Sequence, residues 1–475
     1  MRRLFGFAAA SALALSACTD APSVPVAPVT PSFSLQMAGE STPTGRHLVA
    51  FSGQAPADFA AQVGALGGTV VWVSPNAGLA AVSGLDAAGA AQLAGAKGVQ
   101  DLEADEAFAL DDPQADAANV VPADALESQA NPAAAFFFPR QWNMRAVQAN
   151  TAWAAGFLGS SSVRVYMLDS GIDYGNIDLS SLVDQSRSID MLGTFTVGGV
   201  SFTEADTVAK YFPTKQPFTD LFFHGTHTAA TVSSLALAAA GVTSRTTLVA
   251  VKVCAYLNTC PFSAILGGIL YAADQGADVV NMSLGGGFSK AGNGRLVGLI
   301  NKTFNYARSR GVTIVVAAGN AAADLDHNGN TYSTYCDNPA VICVSATGPT
   351  AQAGTNGPWT DIDAPAYYTN FGRSGVDVAA PGGNNTTFVY AACSRTSLII
   401  PVCQTGNYVV GVQGTSMSAP HVSGAVALLV PILGRNPAAI RARILQTADD
   451  LGQSGTDPFY GKGRLNVARA VGAIP

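Results

Sequence analysis

The chain has 475 residues, a net charge of −7 and only 12% charged residues. That length implies two or three domains, and the acidic balance excludes a basic nucleic-acid groove. After residue 18 no apolar run is read as long enough to span a membrane.

Arg2 and Arg3 precede an apolar run over 4–15, the pattern of an export signal. The signal, 1–18, ends in Leu15-Ser16-Ala17-Cys18, which resembles a bacterial lipobox. That resemblance implies lipidation of Cys18; ordinary cleavage after a small residue is the alternative. Residues 19–45, rich in Pro, Ser and Thr, read as an extended tether. The protein is therefore expected to be exported, either held at the bacterial outer membrane or cell envelope as a lipoprotein, or secreted. It would meet a membrane only through the lipid.

Residues 46–110 form a small unit. Strands are expected over 47–51, 69–73, 79–82 and 99–103, with helices over 57–66 and 87–94. The order βαββαβ predicts a ferredoxin-like α+β fold, and no cluster in it suggests chemistry. Residues 111–139 are Ala- and Asp-rich without periodicity and read as an exposed linker open to proteolysis.

Residues 140–475 alternate apolar strands with helical stretches. Strands are expected over 163–168, 248–253, 278–283, 312–317 and 341–346, and helices over 224–238, 262–275, 296–310 and 416–433. This predicts an α/β domain, a doubly wound parallel sheet with helices on both faces. In such sheets ligands bind beyond the carboxyl ends of the strands. Those ends carry Asp169, then Ser283-Leu284-Gly285-Gly286, then Ala317-Ala318-Gly319-Asn320. Two helix starts add His224 and Ser416. Ser416 follows Gly411 and Gly414 and precedes Pro420, so it stands where unpaired N–H groups and the helix dipole favour developing negative charge. A plain helix cap is the commoner use of such a serine. Asp169 and Asn320 have ordinary turn roles as alternatives. His224 and His227 share a helical face, but the companion Glu of a zinc-protease helix is missing.

DSGID at Asp169, HGTHTAA at His224, SLGG at Ser283, AAGN at Ala317 and GTSMSAP at Gly414 together resemble the subtilisin family, in that family's order. The resemblance runs from about Trp142 to the final LNVARAV. It implies a serine endopeptidase acting on protein or peptide substrates without a catalytic cofactor or metal. By it Ser416 is the nucleophile, His224 the base and Asp169 its partner, while Asn320 lines the oxyanion hole. Ser283, Leu284, Gly285, Gly286, Ala317, Ala318 and Gly319 match segments that line the family's substrate cleft. His227 and His421 match structural positions. The small unit, ending GVQDLEADE, resembles the family's inhibitory propeptide, which implies a self-processing precursor with its own propeptide as inhibitor. An independent binding domain is the alternative there, and a catalytically silent binding protein is the alternative for the whole.

Two positions depart from the family pattern, Phe223 before His224 and Ala230 at the end of HGTHTAA. Residues 184–220 read as a surface insertion, either shaping the non-primed side of the cleft or without a specific role. Apart from Cys18 the cysteines fall into close pairs, Cys254 with Cys260, Cys336 with Cys343 and Cys393 with Cys403. Six cysteines allow 15 connectivities, and the spacing favours these local bridges in an exported chain. Asp324 to Gly329 resembles the first half of a calcium loop without its terminal acidic ligand. A polar turn is the commoner outcome, and a weak structural calcium site the alternative.

Overall fold

The computed structural model describes residues 42–110, 115–123, 131–285, 287–333 and 335–475. The signal, Cys18, nearly all of the tether and Gly286 lie outside the described residues, as do parts of the 111–139 segment.

The small unit runs β1 (Thr42–Phe51), α1 (Phe59–Ala65), β2 (Thr69–Ser74), β3 (Leu79–Ser83), α2 (Ala87–Ala94) and β4 (Val99–Phe108). Its antiparallel sheet has the order β4-β1-β3-β2. Alternation along the strands explains why HLVAF is apolar at almost every position. Val49, Phe51, Ala80 and Val82 face Phe59, Val63 and Leu93 of the unit's own helices. Leu48, Ala50, Leu79 and Ala81 face the large domain's core. The unit thus buries its second sheet face against its neighbour.

After this unit, β5 (Ala115–Pro122) pairs antiparallel with residues 408–412, and Phe137 is buried. The expectation of an exposed linker over 111–139 is corrected for these stretches. Residues 115–122 carry no strand pattern of their own, and a distant edge supplies their pairing.

The large domain is built on seven parallel strands: β6 (Arg164–Asp169), β7 (Ile189–Asp190), β8 (Thr247–Lys252), β9 (Val279–Met282), β10 (Thr313–Ala317), β11 (Val341–Thr347) and β12 (Val378–Pro381). Their order is β12-β11-β10-β9-β6-β8-β7. Alternate residues face opposite layers. Tyr166, Leu168, Val249, Val251, Val280 and Met282 meet the helices Phe262–Asp274 and Gly294–Ser309. Val165, Met167, Ala250, Val279 and Val315 meet Val422 and Val426 of the helix Thr415–Leu433. That helix is long and apolar enough to cross a membrane, which corrects the reading that no later run is. Here it is buried against the sheet.

The expected helix over 224–238 stops at Val232. The buried carboxylate of Asp178 takes the N–H groups of Leu237, Ala238 and Ala239 and folds that apolar run into a turn.

Candidate active site

The end of β6 places Asp169 in the interior, fully buried. Its Oδ1 lies 2.7 Å from Nδ1 of His224 and accepts the Ser170 N–H at 2.7 Å. Its Oδ2 accepts the Thr228 hydroxyl at 3.0 Å. His224 opens the helix α3 (His224–Val232). Asp220 holds that helix start by accepting from Thr226 N at 2.9 Å, Thr226 Oγ1 at 2.6 Å and Ser170 Oγ at 2.9 Å. Burial pushes the Asp220 carboxyl up to about 6; the Thr226 bonds oppose this and the nearby Asp169 charge adds to it. Gly225 lets α3 approach β6 closely, since a Cβ there would sit 2.1 Å from the Gly171 carbonyl oxygen. Phe223 and Ala230 are accommodated in the core at the two positions that depart from the family pattern.

Ser416 stands at the start of α6 (Thr415–Leu433; α4 and α5 are Phe262–Asp274 and Gly294–Ser309). Gly414 just before it has φ +149°, a backbone shape that favours glycine. The Ser416 hydroxyl donates to the Ser283 carbonyl at 3.0 Å, and the Ser283 hydroxyl donates to the Ser416 carbonyl at 2.7 Å. Asn281 Nδ2 donates to Ser283 Oγ at 2.9 Å, and Ser423 Oγ donates to Asn281 Oδ1 at 2.8 Å. This relay ties α6 to the end of β9.

Asn320 follows β10. Its Oδ1 accepts both the N–H and the hydroxyl of Thr415, each at 2.8 Å. The Thr415 oxygen accepts the Gly319 N–H in turn, at 3.0 Å. The amide oxygen thus accepts from Thr415. Leu284, Ala317 and Ala318 are buried at the same rim.

The remaining histidines have separate places. Burial pushes His227 down to about 3 and His421 down to about 4. His227 Nε2 meets the Val389 carbonyl, and His421 lies between the Met417 carbonyl and Asn143. His327 is exposed and pairs with Asp324 at 2.8 Å, while Asp326 accepts the Arg373 and Ser374 N–H groups. Asp324 therefore serves its own loop, while Asp326 ties that loop to the 373–374 segment. Among the described residues no group of three or more His, Cys, Asp or Glu could hold a metal. Disulfides join Cys254 to Cys260, Cys336 to Cys343 and Cys393 to Cys403.

Sequence reasoning did not single out Asp220, Thr228, Asn281 or Thr415. Asp220 had a usable signal, an acidic residue shortly before a helix start. Thr415 had none beyond its place in the GTSMSAP motif.

The subtilase family model (Peptidase S8) matches residues 160–463. Thermitase of Thermoactinomyces vulgaris is 32% identical over 342 residues, covering 71% of this chain and 97% of thermitase. Subtilisin DY of Bacillus licheniformis is 30% identical over 331 residues, covering 68% of this chain and 96% of that protein. Among solved structures, the epidermin leader peptide processing serine protease of Staphylococcus aureus has TM-score 0.66 at 19% identity. It covers 90% of this chain and 98% of that one. A lanthipeptide protease has TM-score 0.56 at 20% identity, over 74% of this chain and 99% of that one. At these identities the structural likeness speaks to the fold.

Proposed function

This chain belongs to the subtilase family and is a serine-type endopeptidase, and we propose that Asp169, His224 and Ser416 form its triad, with Asn320 in the oxyanion hole. The buried Asp169–His224 pair at 2.7 Å, on the rim where Ser416 begins its helix, carries this reading. The chemistry needs no cofactor. Ser416 turns its hydroxyl from the Ser283 carbonyl towards His224, which takes the proton as Oγ attacks the substrate carbonyl. Asp169 holds the Nδ1–H tautomer and stabilises the imidazolium. His224 then protonates the leaving amine, and water repeats the cycle on the acyl-enzyme. The oxyanion meets the Asn320 amide and the Ser416 N–H, in a site that needs no reorganisation when charge develops. The walls of the cleft are Ser283 to Gly286 and Ala317 to Gly319, where a substrate strand adds to the enzyme's backbone.

The small unit acts as an inhibitory propeptide, and its removal is the chain's own work. A tail already seated in the cleft gains from proximity, so the first cut is intramolecular and falls between Ala109 and Arg140. Export leads to lipidation at Cys18, which is the chain's membrane anchor. The loop at Asp324 takes at most a weak structural calcium. The decisive experiment compares purified wild type with Ser416→Ala. Wild type hydrolyses casein and yields two fragments, whereas Ser416→Ala does neither. Fragmentation of purified Ser416→Ala at the same place and pace would remove self-processing, and retained peptidase activity would remove the triad. Cys18→Ala shifts the protein from the membrane fraction to the soluble one; unchanged fractionation would discard the lipid anchor.

A further inference from the structure

The precursor's own chain is held as an extended strand on both flanks of the site. On the upstream flank, β4 pairs antiparallel with Cys260–Pro261, Phe108 opposite Cys260, and Asn258 Nδ2 donates to the Leu110 carbonyl at 3.3 Å. On the downstream flank, β5 lies along the strand Tyr408–Val412, whose other edge pairs with Val389–Ala392. The register sets Ala115 opposite Val412, Val120 opposite Val410, Val121 opposite Val409 and Pro122 opposite Tyr408. The Ala123 N–H continues the ladder to the Asn407 carbonyl at 2.9 Å. Val412 stands four residues before Ser416, so β5 enters this edge at its catalytic end and leaves along it.

Apolar seats accompany the ladder. Val121 packs with Phe137, Tyr390 and Val409. Val120 packs against the large core. Four residues of β5 pair on the downstream flank, Ala115 and then Val120 to Pro122 beyond a register shift between Val410 and Val412, against two in the strand Cys260–Pro261.

We propose that the outer edge of Tyr408–Val412 is the docking edge for the leaving half of extended polypeptide substrates. Its ligand is an unfolded or extended chain that continues past the cut far enough to pair along Tyr408–Val412, with apolar side chains opposite Val410 and Val409. Residues 115–122 are its first occupant, and they must leave before a substrate can use it. Backbone pairing tolerates most sequences, so this edge selects for length and extended shape, with the two seats adding a preference. The inference rests on the triad reading above, which places the reacting bond between the two grips.

The test uses the full-length chain allowed to process itself, with its new amino terminus read by intact mass. Two internally quenched peptides share the residues ahead of the bond. One carries two residues after it, and the other carries a longer half ending in the sequence of residues 115–122. The long peptide is expected to show about tenfold higher kcat/KM, and N-methylation of alternate amides in its distal half removes the gain. If the mass shows residues 115–122 retained, the comparison moves to Val120→Asp/Val121→Asp, whose charges no longer suit the apolar seats. There the length effect emerges. Equal kcat/KM for both peptides in the enzyme with the edge free overturns the docking edge and leaves the triad standing. Failure to hydrolyse even the short peptide overturns both.

Discussion

Thr415→Val isolates what positions Asn320 in the proposed oxyanion hole. The hydroxyl makes one of two bonds to Asn320 Oδ1, the other coming from the Thr415 N–H, which the substitution keeps. A neutral hydrogen bond is worth about 1 kcal/mol net, so looser Asn320 positioning lowers kcat roughly fivefold, with KM little changed. Removing the amide itself, in Asn320→Ala, costs about 3 kcal/mol, the figure measured for the corresponding loss in subtilisin. The two effects are not additive. If Thr415 acts through Asn320, Thr415→Val changes nothing further in the Asn320→Ala background. Valine also leaves the Gly319 N–H without its acceptor, so Tm falls as well, by a stability loss of about 1–3 kcal/mol. Thr415→Ser keeps the hydroxyl and restores kcat. The assay is steady-state hydrolysis of one peptide by the four members of the cycle, with thermal unfolding in parallel. An equal fall in kcat with and without Asn320 would refute the positioning role.

Gly225→Ala forces a Cβ to 2.1 Å from the Gly171 carbonyl oxygen. It should separate His224 from Asp169 and bring kcat close to that of Ser416→Ala, whose loss is about 10⁶-fold in subtilisin; wild-type turnover in a folded Gly225→Ala would contradict this. His227 and His421 have folded values of about 3 and 4, below the unfolded 6.5. Their stabilising share is full above 6.5 and drains as pH falls towards 4, at about 1.4 kcal/mol per unit for each. The Tm of Ser416→Ala should therefore drop steadily from pH 7 to 4, and a flat profile would count against neutral burial. Arg46 is buried and donates to Thr194 O at 2.7 Å and Ser263 Oγ at 3.1 Å. Arg46→Met should shorten the lifetime of the cleaved small unit on the protease by about 100-fold, read by size-exclusion chromatography of the processed mixture. An unchanged lifetime would show that this contact does not hold the unit.

Much of the large domain was readable because its strands are buried on both faces and so appear as continuous apolar runs ending in small or candidate catalytic residues. Asp169, Ser283 and Asn320 were legible for that reason, each directly at or after a strand's carboxyl end. The small unit was legible through its alternation and its Gly67-Gly68 helix stop. What stayed hidden depends on contacts distant in sequence. Residues 115–122 become a strand only because Tyr408–Val412 offers an edge. Residues 233–238 leave the helix where Asp178, far upstream, takes the amides of Leu237, Ala238 and Ala239. Thr415 matters through Asn320, a residue almost a hundred positions away, and spacing carries no trace of that bond.

The insertion over 184–220 shows how such distant contacts combine. Ile189–Asp190 adds a short parallel strand to the outer edge of β8. A hairpin, Thr194–Val197 with Val200–Thr203, then reaches the small unit, where Arg46 takes the carbonyls of Leu192 and Thr194. Asp105 completes the junction from the same unit. It accepts Ser263 N at 2.8 Å and Ser263 Oγ at 2.5 Å, so a carboxylate of the small unit caps the start of α4. Beyond the hairpin, buried Glu204 pairs with Lys252 at 2.5 Å and accepts the Tyr256 N–H at 2.8 Å. Tyr256 belongs to the loop closed by Cys254–Cys260, whose far end pairs with β4. One insertion therefore touches both the small unit and the loop that pairs with β4. Both contacts join the small unit to the large domain, Arg46 through the hairpin and β4 through Cys260–Pro261. The Glu204–Lys252 pair lies wholly within the large domain. That buried pair, with the Glu204 bond to the Tyr256 N–H, holds the Cys254–Cys260 loop against the insertion.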